Sequence, residues 1–153
     1  MKNQIINKGE NIITLINWLE SNKVTKIFLV SGNDSFELSG SKKYLKQVLN
    51  HYQYVRFSDF SENPKIEDVY KGIEIMNNEK CDCCIIIGGG SVMDMGKLIC
   101  YLTEEATNNP NLIVRNELTH LERKIPICAV PTTAGSGAES THFSVVYIDN
   151  KKY

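Results

Sequence analysis

Neither sign of charge dominates this sequence: 17 basic and 18 acidic side chains are interspersed and leave a net charge of −1. Without a basic face there is no electrostatic footprint for nucleic acid or an anionic membrane surface, so the expected partner is a small molecule. A long apolar run is missing too. The opening stretch, MKNQIINKGENIITLINWLE, alternates polar and apolar positions and lacks a small-residue cleavage site. That pattern argues against a signal peptide or a membrane span and places the chain in the cytoplasm. No repeat of roughly 20 to 50 residues and no low-complexity tract is visible.

Metal-ligand spacings are also scarce. Five cysteines are an odd number, and three crowd into Cys81, Cys83 and Cys84 without the second pair on a separate segment that a structural zinc site needs. Buried thiols in a reducing compartment are the expectation. His51, His120 and His142 include no i,i+4 pair, and a lone histidine such as His142, beside Thr141, is more often structural than catalytic. No metal ligand and no catalytic acid or base is assigned.

What is present is an alternation. At 153 residues the chain fits one domain, which would bury roughly 70% of the surface its unfolded form exposes. Ile12, Ile13, Leu15, Ile16 and Leu19 recur at helical spacing before the short apolar run Lys26 to Gly32. Tyr44, Leu45, Val48 and Leu49 mark a second helix, from Ser41, followed by YQYVRF as a strand. After a polar connection broken by Pro64, Ile66, Val69, Tyr70, Ile73 and Met76 mark a third helix before CCIII, and IPICAV at 125 to 130 supplies another strand. Helices between short apolar strands predict βαβ units, and so an α/β fold with a mostly parallel sheet covered by helices on both faces.

Ligands of such sheets sit beyond the strands' carboxyl ends. There Gly88, Gly89, Gly90 and Ser91 follow CCIII and open a helix whose apolar face is Val92, Met95, Leu98, Ile99 and Leu102. A helix N-terminus offers unpaired N–H groups and partial positive charge, and glycines remove the Cβ atoms that would hold a phosphate away. The site suits a pyrophosphate; a tight strand-to-helix turn with no ligand is the plainer alternative. A Walker loop is excluded, because five residues separate Gly90 from Gly96 and Leu98 follows Lys97. The G-x-G-x-x-G fingerprint also fails, since Ser91, Val92 and Met93 follow Gly90.

Gly88, Gly89, Gly90, Ser91, Asp94, Gly96 and Lys97 resemble the GGGS-x-x-D-x-A-K loop of the iron-containing (group III) alcohol dehydrogenase family. Gly96 stands for the usual alanine, a departure expected to cost about 1 kcal/mol of helix propensity and to leave close packing open. PTTAGSGAEST, Pro131 to Thr141, is similar to the family's P-T-T-A-G-T-G-S-E. VSGNDSFELSG and the segment around Asn63 and Pro64 extend the resemblance over essentially the whole chain.

The resemblance implies a dehydroquinate synthase-like architecture: a Rossmann-like N-terminal NAD(P)-binding domain, here residues 1–153 and truncated near its end, with the helical metal-binding domain absent. It implies reversible hydride transfer between a nicotinamide cofactor and an alcohol or aldehyde. The family's Fe2+ or Zn2+ ligands are not in this chain, so turnover by the chain alone is expected to be negligible. By motif position, Asn63 lies near the cofactor, Gly88, Gly89, Gly90, Ser91 and Asp94 at the pyrophosphate, and Thr132, Thr133 and Thr141 along the ribose and nicotinamide. Lys152 resembles a cofactor-proximal lysine. The plainer readings are a turn cap for the threonines, an ordinary pre-proline loop residue for Asn63, a first-turn carboxylate for Asp94 and a solvated lysine for Lys152. NAD-using members carry an aspartate at the end of the first strand, where this chain has Gly32, followed by Asn33, Asp34 and Ser35. Loss of that carboxylate, with Asn33 and Ser35 as uncharged donors, favours NADP(H), with NAD(H) the alternative. A glycerol or glycerol-1-phosphate dehydrogenase-like relative, dehydroquinate synthase, or a non-catalytic nucleotide-binding fragment are the competing readings. Expected partners are the dinucleotide, the alcohol or aldehyde, and either a second copy of the chain or the missing C-terminal half.

Overall fold

A computed structural model of the chain describes residues 12–102, 125–135, 137–141 and 143–153. Its elements alternate: α1 (Ile12–Ser21), β1 (Lys26–Ser31), α2 (Ser35–Leu38), α3 (Ser41–His51), β2 (Gln53–Phe57), α4 (Ile66–Asn78), β3 (Cys83–Gly88), α5 (Gly90–Tyr101) and β4 (Ile127–Pro131). Strands β1 to β4 form one parallel sheet in the order β2-β1-β3-β4. Two-residue strands β5 (Tyr147–Ile148) and β6 (Lys151–Lys152) pair as an antiparallel hairpin.

The two middle strands are nearly unbroken apolar runs because both their faces are covered. Alternate residues serve opposite layers: Ile27, Leu29, Ile85 and Ile87 pack with Leu19, Leu45 and Val48 of α1 and α3. Phe28, Val30, Cys84 and Ile86 pack with Val69 and Ile73 of α4 and with Met95 and Ile99 of α5. This is the mostly parallel α/β sheet with helices on both faces that the alternation predicts. Four details depart from the sequence reading. Ile13, placed on the buried stripe of α1, is 55% exposed because that stripe is narrower, centred on Leu15 and Leu19. Tyr44 is likewise exposed on α3. The four-residue α2 was not anticipated within the loop after β1. FSVVYIDNKKY, residues 143 to 153, reads as one strand in sequence but folds back on itself, because Asp149 and Asn150 both take positive φ, as a two-residue hairpin turn requires.

The cysteines are free, and Cys81, Cys83, Cys84 and Cys100 are buried. Burial pushes the Cys81 and Cys128 thiols up to about 11 and raises Cys83 further, so these thiols are poor nucleophiles at neutral pH.

The amino end of the sheet is latched by Asp82. Its carboxylate accepts from the Thr25 N–H at 3.1 and 3.0 Å, the Thr25 hydroxyl at 2.5 Å and the Lys26 N–H at 3.1 Å. Burial pushes the Asp82 carboxyl up, but the Thr25 hydroxyl and the Lys26 and Thr25 N–H groups hold it below the ordinary aspartate value on balance. With the folded value depressed, this stabilisation is complete above the unfolded value of about 3.9 and is lost as pH falls through the folded one. Asp82→Ala should lower stability by about 1–3 kcal/mol in urea unfolding at pH 7. The difference from the parent should shrink as acid is added; a gap that persists in acid would exclude the carboxylate as its source.

Candidate functional site

In this strand order β1 leads to β2 on one side while β3 and β4 extend to the other, so the carboxyl ends of β1 and β3 flank the topological switch point. Ser31 of β1 lies opposite Ile87 of β3, and Gly88 opposite Pro131 of β4. The turns after β1, β3 and β4 are thereby brought side by side.

At the centre is the turn from β3 into α5. Gly88 ends β3, and a Cβ there would stand 2.7, 2.8 and 3.0 Å from three side-chain atoms of Val92, so no side chain fits. Gly89 is the N-cap residue and supplies no side-chain cap. The Met93 N–H makes the first intrahelical bond, to the Gly89 carbonyl at 3.0 Å. The N–H groups of Gly90, Ser91 and Val92 before it are the unsatisfied donors of a helix start. The Thr132 N–H donates to the Gly88 carbonyl at 2.9 Å, and Thr133 stands over Gly89, its Oγ1 3.2 Å from where a Cβ would be. The turn is bare of side chains, lined with free donors and edged by hydroxyls. Those features fit a dinucleotide's pyrophosphate.

Gly32 follows β1 on the neighbouring side. A Cβ on Gly32 would lie 2.1 Å from Ser35 Oγ and 3.8 Å from Val92, so Val92 sits between this turn and Gly88. Arg56 of β2 braces the turn. Its Nε donates to Ser31 Oγ at 2.8 Å, and its Nη2 to the Gly32 and Asn33 carbonyls at 2.9 and 3.0 Å. The guanidinium lies 4.7 Å above the ring of buried Phe36.

On the far side of α5, Lys97 ties the helix to the segment after β4. Its Nζ donates to the Ala138 carbonyl at 2.9 Å, to Thr141 Oγ1 at 3.4 Å and to the Phe143 carbonyl. Asp94 Oδ1 pairs with the same ammonium at 3.4 Å. Asp94 and Thr141 thus meet at Lys97, and Thr141 also donates to the Ala138 carbonyl at 3.4 Å.

Gly32, Asn33, Ser35, Gly88, Gly89, Gly90, Ser91, Thr132 and Thr133 therefore share one end of the sheet. Asn63, in the connection that leaves the carboxyl end of the edge strand β2, has the hairpin that carries Lys152 as its neighbour. The Tyr147 N–H donates to the Pro64 carbonyl at 2.8 Å, and Tyr147 pairs with Lys152 in the hairpin. Both Asn63 and Lys152 are exposed, and no hydrogen bond among the described residues ties either to the glycine turn. His51 is exposed on α3, its Nδ1 hydrogen-bonded to the Gln47 carbonyl at 2.8 Å; His120 and His142 lie outside the described residues. Among the described residues no group of three or more His, Cys, Asp or Glu side chains is placed to hold a metal ion. Those residues do not fit a metal. No helix among them is long and apolar enough to cross a membrane.

Arg56 and Lys97 were not among the site residues expected from sequence. A charged residue inside the apolar strand YVRF was the available signal for the first, and the i,i+3 spacing of Asp94 and Lys97 for the second.

The family model for iron-containing alcohol dehydrogenase matches residues 3–153. The chain is 31% identical over 148 residues to aldehyde-alcohol dehydrogenase 2 of Entamoeba histolytica, covering 88% of this chain and 17% of that protein. Among solved structures, an iron-containing alcohol dehydrogenase from Thermotoga maritima superposes with a TM-score of 0.72 at 29% identity, covering 90% of this chain and 38% of the other. A sulfoacetaldehyde reductase from Bifidobacterium kashiwanohense in complex with NAD+ gives 0.75 at 27%, covering 95% and 39%. The chain spans less than two fifths of the length of each of these proteins.

Proposed function

The chain belongs to the iron-containing alcohol dehydrogenase family, and from that premise we propose that residues 1–153 are the nucleotide-binding unit of an alcohol or aldehyde oxidoreductase. The observation that carries the reading is the bare turn Gly88 to Ser91, with its uncapped donors at the switch point of the sheet. In this reading the Gly90 and Ser91 N–H groups and the Ser91 hydroxyl bind the pyrophosphate. Gly88 and Gly89 let it approach, and Thr132 and Thr133 orient the ribose and nicotinamide side. The Gly32 to Ser35 turn receives the adenosine end. Lys97 and Asp94 hold the segment carrying Thr141 against α5, while Asn63 and Lys152 border the site from the hairpin side. The bound nicotinamide supplies the hydride acceptor or donor; this chain's residues bind and orient it.

NADP(H) is the favoured coenzyme. Gly32 carries no side chain where the family's NAD-using members carry the aspartate that would repel a 2′-phosphate, and Ser35 Oγ lies 2.1 Å from where its Cβ would be; Asp34, the carboxylate this turn does carry, keeps NAD(H) as the alternative. The metal and most substrate contacts are assigned to the part of the family that the match does not span.

A thermal melt of the chain, alone and with saturating NADPH or NADH, tests the reading, because a ligand bound only by the folded state raises the midpoint. A midpoint raised by either dinucleotide is expected, and more by NADPH. A cooperative transition that neither moves would overturn the proposal.

A further inference from the structure

We propose that Arg56 is the residue that reads the coenzyme's 2′-phosphate, making it the specificity determinant at the adenosine end of the site. The inference rests on the dinucleotide reading above and deepens it. Arg56 is the fourth residue of β2, paired opposite Leu29, and its side chain runs towards the carboxyl end of β1, where the Gly32 turn begins. Three of its five N–H donors are committed, to Ser31 Oγ and to the Gly32 and Asn33 carbonyls. The two on Nη1 make no hydrogen bond among the described residues. Its charge is uncompensated as well, because no carboxylate forms an ion pair with it among those residues. The group is nonetheless fixed, by its hydrogen bonds through Nε and Nη2 and by the Phe36 ring beneath it.

A rigid, half-buried guanidinium with two uncommitted N–H groups on Nη1 and no counter-ion is built for an anion, and those charged donors suit the oxygens of a phosphate monoester. The turn it braces is the one assigned to adenosine, so the matching anion is a phosphate on the adenosine ribose. The remaining possibility for such an arginine is purely mechanical: it satisfies buried Ser31 and holds the turn for any dinucleotide.

These two roles predict different binding. Dissociation constants for NADPH, NADH, 2′,5′-ADP, 5′-AMP and inorganic phosphate would be measured on the parent chain, R56Q and R56K. The parent should bind NADPH at least tenfold more tightly than NADH, and 2′,5′-ADP more tightly than 5′-AMP or inorganic phosphate. R56Q should weaken NADPH at least tenfold more than it weakens NADH, whose loss reports the brace alone, and R56K should recover part of the preference. Equal losses for NADPH and NADH in R56Q would make Arg56 a brace and overturn the assignment while the dinucleotide reading stands. A parent chain that prefers NADH, or binds 5′-AMP as tightly as 2′,5′-ADP, would overturn it likewise. Inorganic phosphate bound as tightly as 2′,5′-ADP would reduce the site to a general anion site and also sink it. If R56Q does not fold, R56K decides: an unchanged NADPH preference refutes the proposal, and a reduced one upholds it. A parent that binds neither dinucleotide overturns the function and, with it, this inference.

Discussion

Replacing Gly89 with valine should weaken dinucleotide binding by at least 100-fold while leaving the fold in place. The backbone at Gly89 is extended, at φ −84° and ψ −172°, which a β-branched residue adopts readily. A new Cβ would press only on Thr133, 3.2 Å from its Oγ1 and 3.5 Å from its Cγ2, and Thr133 is exposed and able to yield. The apo chain should therefore unfold within about 1 kcal/mol of its parent, as surface changes usually do. The approach to the uncapped donors of α5 is another matter, because valine's two methyl groups would stand where an anion must come within hydrogen-bond distance. A 100-fold loss removes about 2.7 kcal/mol of ligand-induced stabilisation. Titration of both variants with NADPH checks it, and unchanged affinity in Gly89→Val would remove the glycine turn as the pyrophosphate site.

Gly96→Val should produce the largest loss of stability, about 3 kcal/mol or more. α5 crosses β3 so closely that a Cβ on Gly96 would lie 2.5 Å from Ile86 Cδ1 and Cγ1 and 2.9 Å from its Cγ2. Ile86 is wholly buried and its β-branched side chain has little rotamer freedom. Atoms of both branches are involved, so rotation about χ1 cannot clear them. Overpacking of this kind costs roughly 1–3 kcal/mol and sometimes more. Even alanine, which the resembling loop carries there, would gain about 1 kcal/mol of helix propensity and give it back as the clash. The close packing that Gly96 was expected to leave open, at about 1 kcal/mol of helix propensity, is used in full: in this chain the glycine sets the distance between helix and sheet. Chemical unfolding of Gly96→Val, of Ile86→Ala and of the pair checks the cause, because truncating Ile86 should relieve the valine by at least about 1 kcal/mol relative to additivity. Additive losses would mean that the strain lies elsewhere.

The parts of the fold that were legible in sequence are those whose physics is local. β1 and β3 stand out as apolar runs because both faces are covered, and α3, α4 and α5 show their buried stripes at helical spacing. The glycine turn was legible for the same reason, since strand end, turn and helix start are contiguous. What escaped depends on distant partners. Arg56 acquires its place only when β2 pairs with β1, 23 to 25 residues back along the chain. Lys97 reaches carbonyls 41 and 46 residues ahead. The hairpin was missed because its turn depends on Asp149 and Asn150 accepting left-handed φ, a rarer state for residues other than glycine.

The Asp82 latch has a meaning for change over time. It closes the sheet at the amino end, whereas the turns after β1, β3 and β4 assigned to the nucleotide gather at the carboxyl end. Strength and chemistry therefore occupy opposite poles of the same strands. Substitutions that retune the turn around Gly32 and Arg56 need not disturb the latch, and a loss of stability incurred at one pole can be offset at the other. A lineage drifting between coenzymes, or an engineer imitating one, has in this arrangement room to experiment without dismantling the scaffold.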